Sequence, residues 1–134
     1  MIEYRTTIEG LSPDELKGFF VGWKKPLTTE QHYQILRNSS YVVLAYETGK
    51  SKVVGFINAL SDGVYFAFIP MLEVLPEYQH MGIGSRLMEM MLELLKHITC
   101  IDLTCDIEMQ NFYKKFGMFK SHGMIIRKYI NQNG

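Results

Sequence analysis

A short stretch between an apolar run and a long amphipathic segment holds the residues best suited to chemistry. It reads Gln-His-Met-Gly-Ile-Gly and covers residues 79–84. The first turn of a helix leaves its backbone N–H groups unpaired, and the helix dipole places roughly half a positive charge there. Glycines also let a ligand approach the backbone closely. The stretch therefore predicts an anion site for a phosphate or pyrophosphate, although Gly82 and Gly84 alone would equally suit a tight strand-to-helix turn.

Two nucleotide-binding motifs with similar glycines do not match this chain. A phosphate loop of the Walker type requires Gly-Lys-Ser/Thr, whereas Ser85 and Arg86 follow Gly84 here. A dinucleotide-binding fingerprint requires a third glycine where this chain has Leu87, and it belongs to a parallel doubly wound sheet. Both motifs are excluded, so the surrounding elements must decide which anion binds.

Hydrophobic periodicity predicts the elements that position the stretch. Strands are predicted over residues 2–7, 41–46, 53–59, 64–75, 100–105 and 124–130. Helices are predicted from the Ser12 cap through an apolar face of Leu16, Phe19, Phe20 and Trp23, from Thr28 to about Asn38, over residues 83–98, and from Met109 to the Gly117 cap. Pro70 lies inside a predicted strand, which must be bulged, interrupted or at an edge there. The order predicts an α+β fold with a sheet of mixed direction.

Composition sets the broad class. The 134 residues fit one domain, 1–134, and the 14 basic and 14 acidic side chains give no global field that favours nucleic acid or a membrane surface. No apolar stretch reaches the ~20 residues of a membrane span, and the N-terminus lacks the features of a signal peptide. Cys100 and Cys105 form neither a disulfide framework nor a zinc motif. We therefore expect free thiols, no metal and a cytoplasmic protein.

Two segments carry a family resemblance. Residues 74–84 read Val-Leu-Pro-Glu-Tyr-Gln-His-Met-Gly-Ile-Gly, and residues 112–118 read Phe-Tyr-Lys-Lys-Phe-Gly-Met. The first resembles the acetyl-CoA-binding segment of the GCN5-related N-acetyltransferase (GNAT) superfamily, whose signature is Gln/Arg-x-x-Gly-x-Gly/Ala. The second is similar to the family's Phe-Tyr-x-Lys-x-Gly-Phe, with Met118 in place of the last Phe. The predicted element order matches the family fold over essentially the whole chain.

The resemblance implies a fold and an activity. The fold would be a mixed, mostly antiparallel sheet of six to seven strands flanked by about four helices, with splayed strands that form a coenzyme A cleft. The activity would be transfer of an acetyl group from acetyl-CoA to a primary amine of a small molecule, by direct attack through a tetrahedral intermediate. A protein or peptide acceptor, or a non-catalytic coenzyme A-binding regulatory module, are the alternatives. A homodimer that uses the strand 124–130 is also consistent with the family.

The resemblance assigns the donor site residue by residue. Leu72 and Val74 would offer main-chain partners to pantetheine, and the Val74 N–H would stabilise the oxyanion. The pyrophosphate would lie on the loop formed by Gln79, His80, Met81, Gly82, Ile83, Gly84 and Ser85. The contacts of this loop would be chiefly through its backbone.

The same resemblance gives two catalytic candidates. Tyr113 matches the tyrosine that protonates the leaving thiolate, although a helix-face aromatic that packs beside Phe112 and Phe116 would look the same. Glu73 is the candidate base for the amine, and strand alternation places it on the opposite face from Leu72. A solvated or salt-bridged glutamate is the alternative for Glu73.

The acceptor pocket is not identified by the sequence. In the family it is built by the first two helices and their loop, which here span residues 19–27 and Tyr33. Trp23 and the neighbouring phenylalanines would also suit a buried core. The Gly22-Trp23 pair resembles a subgroup of small bacterial members, but this likeness names no acceptor.

Overall fold

The computed structural model describes residues 1–131, with side chains up to Tyr129. The chain divides into two compact units, residues 1–104 and the residues from Cys105 onwards. The sheet lies in the first unit, in the order β1 (Ile2–Arg5), β2 (Tyr41–Glu47), β3 (Lys52–Ser61), β4 (Phe66–Val74) and β5 (Cys100–Asp102). Helices α1 (Thr29–Asn38) and α2 (Ile83–Leu94) belong to this unit, and α3 (Gln110–Lys114) and α4 (Lys128–Asn131) to the second. The predicted mixed α+β class is confirmed.

The sheet has one change of direction. Strands β1 to β4 pair antiparallel with their neighbours, and β4 pairs parallel with β5. The parallel connection is made by α2, because parallel strands need a crossover that returns the chain to the same end of the sheet. In this crossover, residues 75–82 connect the end of β4 to the start of α2.

Helix α2 packs its apolar stripe against the sheet. Leu87, Met88 and Met91 are fully buried on this stripe, and each such side chain contributes about 1.5–3 kcal/mol when removed from water. The close approach depends on Gly55 of β3, where an added Cβ would lie 3.2 Å from side-chain carbons of both Ile83 and Leu87. The helix N-terminus is thus fixed tightly on β3.

The predicted helix that starts at the Ser12 cap is wrong beyond its first turn. The capping contact forms, since the Ser12 N–H donates to Glu15 Oε1 at 2.9 Å, but only a 3₁₀ turn over Pro13–Leu16 follows. Gly18 then takes a left-handed φ of 97° and Gly22 a φ of 85°. Glycine lowers helix stability by about 1 kcal/mol per residue, and here the left-handed turns allow consecutive phenylalanines to be buried.

The predicted closing strand 124–130 is also wrong within the described residues. The chain is irregular through Arg127, and α4 begins at Lys128. Met124 is 100% exposed and Ile126 77% exposed, so no packing stabilises an extended ladder, and β propensity depends on such packing. The described sheet therefore has five strands rather than six to seven, and the strand expected to take part in a homodimer does not form there.

Strand β4 is bulged where the sequence places Pro70. The register with β3 shifts between Asn58, which faces Met71, and Leu60, which faces Phe68. One extra residue of β4 is thus accommodated around Pro70, which cannot donate to a ladder. The prediction of disrupted pairing is confirmed, and the structure locates the bulge.

Among the described residues, no helix is long and apolar enough to cross a bilayer. No group of three or more His, Cys, Asp or Glu side chains in the same residues is arranged to hold a metal ion. Both cysteines are free thiols, and Cys105 is exposed while Cys100 is half-buried.

Candidate functional site

The C-terminal half of β4 offers main-chain groups at an open edge. Pairing with β5 covers only Phe66, Ala67 and Phe68, so β4 continues without a neighbouring strand on that side among the described residues. On the other side the Leu75 N–H donates to the Val54 carbonyl at 2.8 Å. Because hydrogen bonding alternates along an antiparallel ladder, the N–H and C=O of Val74, and likewise of Leu72, point to the open edge.

The loop after β4 curls back towards the end of the strand. The Gln79 side chain donates through Nε2 to the Val74 carbonyl at 3.0 Å, which closes the loop on itself. His80 has a φ of 65° and Gly82 a φ of 82°, both left-handed. An added Cβ at Gly82 would meet nothing within 4 Å, so the space above this residue is open.

Helix α2 starts directly from this loop. Its N-cap is Gly82, and its first internal bond runs from the Arg86 N–H to the Gly82 carbonyl at 3.1 Å. The N–H groups of Ile83, Gly84 and Ser85 precede that bond, in the turn whose amides have no intrahelical acceptor. No acidic side chain lies in this turn to compete for them. The geometry suits a phosphate or pyrophosphate next to an extended chain on the open edge of β4.

Glu73 points away from this edge and contacts a distant loop. Its Oε1 and Oε2 accept from the Phe20 N–H at 3.0 and 2.9 Å, and Oε2 also lies 3.4 Å from the Val21 N–H. Residues 17–23, here called the aromatic loop, thus lie on the face of the sheet opposite α2. The side of β4 predicted for Glu73 is confirmed, but its carboxylate is already hydrogen-bonded.

The aromatic loop is packed over a buried histidine. His32 of α1 is fully buried, and its ring centroid lies 4.3 Å from that of Phe56, 4.8 Å from Phe20 and 5.4 Å from Phe19. Neither ring nitrogen has a hydrogen-bond partner among the described residues. Burial in this apolar cluster lowers the pKa of His32 to about 4, so the ring is neutral at physiological pH.

Tyr113 lies in the second unit, on α3. Its ring is half-buried, and its centroid lies 5.0 Å from that of Phe112 in an edge-to-face arrangement. Burial raises the pKa of Tyr113 to about 12, with a smaller contribution from Cys105. The hydroxyl therefore keeps its proton at neutral pH, as a general acid must.

The predicted donor-site residues of the first unit lie on the end of β4 and on the loop 79–85, and the hydrogen bond from Gln79 Nε2 to the Val74 carbonyl joins the two. The structure also shows contacts that the sequence did not predict. The aromatic loop and His32 were not predicted to contact Glu73 or Phe56. The pair of glycines that flanks Phe19 and Phe20 was the available signal, because two glycines four residues apart argue against a continuous helix.

Comparison with known proteins decides the family. The family model described as Acetyltransferase (GNAT) family matches residues 8–118. The chain belongs to the GNAT family. This match covers the open edge of β4, the glycine loop and α3, so the resemblance noted in the sequence is confirmed.

Individual relatives agree with the GNAT assignment. A crystal structure of a candidate acetyltransferase from Deinococcus radiodurans R1 is 41% identical, with a TM-score of 0.92 over 99% of this chain and 92% of that chain. The chloroplastic GCN5-related N-acetyltransferase 1 of Arabidopsis thaliana is 31% identical, over 96% of this chain and 69% of the relative. An uncharacterised N-acetyltransferase of Pyropia yezoensis is 32% identical over 105 residues.

The curated relatives are longer than this chain, and the name of one of them gives a location. The match covers 75% of this chain but only 59% of the Pyropia protein, so the chain aligns with little more than half of that relative. The Arabidopsis relative is named as chloroplastic. The cytoplasmic location of the present GNAT protein therefore stays a prediction.

Proposed function

We propose that this chain is an acetyl-CoA-dependent N-acetyltransferase that acetylates a primary amine, most simply that of a small molecule. The observation that carries the proposal is the continuity of two features. The open edge of β4 leads directly into a left-handed loop and the N-terminus of α2. An extended pantetheine arm and its pyrophosphate need these two kinds of partner in this order.

On the donor side, main-chain groups do most of the binding. Leu72 and Val74 would pair with the amide groups of pantetheine, in the manner of an added strand. The pyrophosphate would lie on the backbone of Gln79, His80, Met81, Gly82, Ile83, Gly84 and Ser85. The Gln79 side chain would mainly hold the loop in place, because it already donates a hydrogen bond to the Val74 carbonyl. The open space above Gly82 supports a ligand at this point.

Acetyl transfer needs three proton and charge events. The amine loses a proton before its nitrogen attacks the thioester carbonyl, and the Val74 N–H would stabilise the oxyanion that forms. The C–S bond then breaks, and the leaving thiolate takes the proton of the Tyr113 hydroxyl. The resemblance offers Glu73 as the candidate base, acting directly or through water. Both of its carboxylate oxygens already accept from a backbone amide, so direct uptake of the amine proton would require release of such a contact. No metal enters these steps.

We also propose that residues 1–134 act as one acetyltransferase domain. The family match from residue 8 to 118 runs through both compact units, which supports this view. A homodimer stays a prediction, since the strand expected to mediate it is not formed in the described residues.

The proposed function is tested by thiol release from acetyl-CoA. The protein is incubated with a panel of small primary amines and, separately, with peptides that carry free amino groups. Turnover with a small amine supports the proposal, and turnover with peptides alone replaces the small-molecule acceptor by a peptide. Coenzyme A binding measured by calorimetry without any turnover would leave a binding module and overturn the enzymatic function.

A further inference from the structure

The aromatic loop has a conformation that its own residues do not favour. Three of its seven positions have left-handed φ angles, and one of them, Phe20 at 65°, is not a glycine. A bulky side chain at positive φ is strained and persists only where the surrounding structure holds it. Something outside residues 17–23 must therefore hold this loop.

Two kinds of contact hold the loop on the sheet. Phe19 and Phe20 are 7% and 4% exposed, and their rings pack against His32 and Phe56. Beside Phe56, its partner in the β3–β4 register, both oxygens of Glu73 accept from the Phe20 amide at 2.9–3.0 Å. Two successive N–H groups, of Phe20 and Val21, converge on one carboxylate and form an anion-binding nest. The protein fills this nest with its own side chain.

We propose that Glu73 is a positioning residue, which holds the aromatic loop against β4 through the backbone amides of Phe20 and Val21. These contacts conflict with a role as the base. A protonated carboxyl keeps one acceptor oxygen but turns the other into a donor and loses its charge, so proton uptake would weaken the contacts that hold Phe20 at its strained φ. A residue 53 positions away in the sequence thus shapes the loop instead of receiving the amine proton.

The held loop presents apolar surface to solvent. Val21 is 61% and Trp23 50% exposed, and the Trp23 ring packs on Phe20 with a centroid distance of 4.9 Å. The Trp23 N–H also donates to the Phe20 carbonyl at 3.2 Å, so the position of Trp23 depends on that of Phe20. Release of the Glu73 contact would therefore displace both exposed side chains. This step rests on the proposed function: the exposed side chains of Val21 and Trp23 form one wall of the site that receives the amine acceptor.

Amide exchange tests the positioning role without any need for activity. Hydrogen–deuterium exchange is measured by NMR in the wild type, in Glu73→Ala and in Glu77→Gln, a control at an exposed glutamate of the neighbouring turn. Glu73→Ala should speed exchange of the Phe20 and Val21 amides at least about tenfold, as expected for the loss of a hydrogen bond to a charged acceptor. Amides of α2 should be unchanged. Equal protection of Phe20 and Val21 in wild type and Glu73→Ala would overturn the proposal.

Kinetics then separate positioning from proton transfer. For a positioning residue, Glu73→Ala raises KM for the amine several-fold and leaves KM for acetyl-CoA unchanged. Glu73→Gln keeps one acceptor oxygen, so its KM for the amine should lie between the values of the wild type and of Glu73→Ala. Its pH profile of kcat/KM should retain the acidic limb. Loss of that limb, with kcat reduced and amine KM unchanged, would identify Glu73 as the base and refute positioning.

The proposal can still be tested if Glu73→Ala does not fold or if the wild type is inactive. If Glu73→Ala does not fold, Glu73→Gln carries both the exchange and the pH measurements. If the wild type acetylates no amine, the proposed function fails, but the exchange rates of the Phe20 and Val21 amides still decide whether Glu73 holds the loop.

Discussion

His32 should make the stability of the first unit depend on pH in a way that one substitution removes. The ring is fully buried among Phe19, Phe20 and Phe56, and its folded-state pKa is about 4 against 6.5 in the unfolded chain. Between these values the unfolded state binds a proton that the folded state does not. Stability therefore rises with pH in this window, and it is lost as the pH falls from about 6.5 towards 4.

The magnitude follows from the two pKa values. Each pKa unit corresponds to about 1.4 kcal/mol, so lowering the pH from 7.5 to about 4.5 should remove about 2.5 kcal/mol through His32 alone. Below pH 4 the loss is complete at about 3.4 kcal/mol, because both states are then protonated. Such a loss is a large part of the ~5–15 kcal/mol that stabilises a typical domain.

The assay compares His32→Leu with the wild type. Leucine keeps a similar volume in the aromatic cluster but cannot take a proton, and His122→Leu is the control because His122 is exposed. Urea unfolding is followed by circular dichroism at pH 7.5 and pH 4.5. The wild type and the control should lose about 2.5 kcal/mol more than His32→Leu on acidification. Parallel losses in all three proteins would refute the reasoning from a buried, neutral His32.

The remaining predictions concern the site and its support. Gly84→Val should abolish coenzyme A binding, measured by calorimetry. Gly123→Val is the control and should keep binding, because an added Cβ at Gly123 meets nothing within 4 Å. Equal affinities of the two variants for coenzyme A would exclude the loop as the phosphate site. Tyr113→Phe should reduce kcat and spare KM for acetyl-CoA. With a Tyr113 pKa of about 12, the pH profile of kcat in the wild type should show no alkaline limb from this residue below about pH 10. Unchanged turnover in Tyr113→Phe would show that Tyr113 only packs against its neighbours. Gly55→Val should lower the free energy of unfolding, measured in urea, by about 2 kcal/mol, because an added Cβ would lie 3.2 Å from side-chain carbons of Ile83 and Leu87. An unchanged midpoint of urea unfolding would contradict this close packing.

Elements with local signals could be predicted from the sequence. Helix α1 begins as the capping box at Thr28 requires, with the Gln31 N–H bonded to Thr28 Oγ1 at 3.1 Å. The long apolar stripe predicted α2, and runs of β-branched residues predicted β2 and β3. The glycine loop was found because its motif is contiguous, and a contiguous motif needs no knowledge of distant contacts.

Elements that depend on distant partners could not be predicted. The capping box at Ser12 and Glu15 forms, but the helical turn ends at Leu16. Burial of two phenylalanines and the contact with Glu73 favour the left-handed turns that follow. The run 124–130 has the composition of a strand, yet strand formation requires a neighbour that the sequence does not specify. His32 occupies a helix position whose burial becomes evident only when Phe56 of β3 is placed beside it.

Strand β4 divides the proposed chemistry between its backbone and its side chains. The backbone groups of Leu72 and Val74 point to the open edge, whereas the Glu73 side chain leaves the face towards the aromatic loop. Donor binding through main-chain groups tolerates a change of side chain, so the donor site can be defined by glycines and strand geometry alone. The acceptor side instead depends on which side chain reaches the loop and how that loop is held. On the proposed function, this difference explains why one motif predicts acetyl-CoA as the donor, while recognition of the acceptor would depend on residues 17–23 and on Glu73.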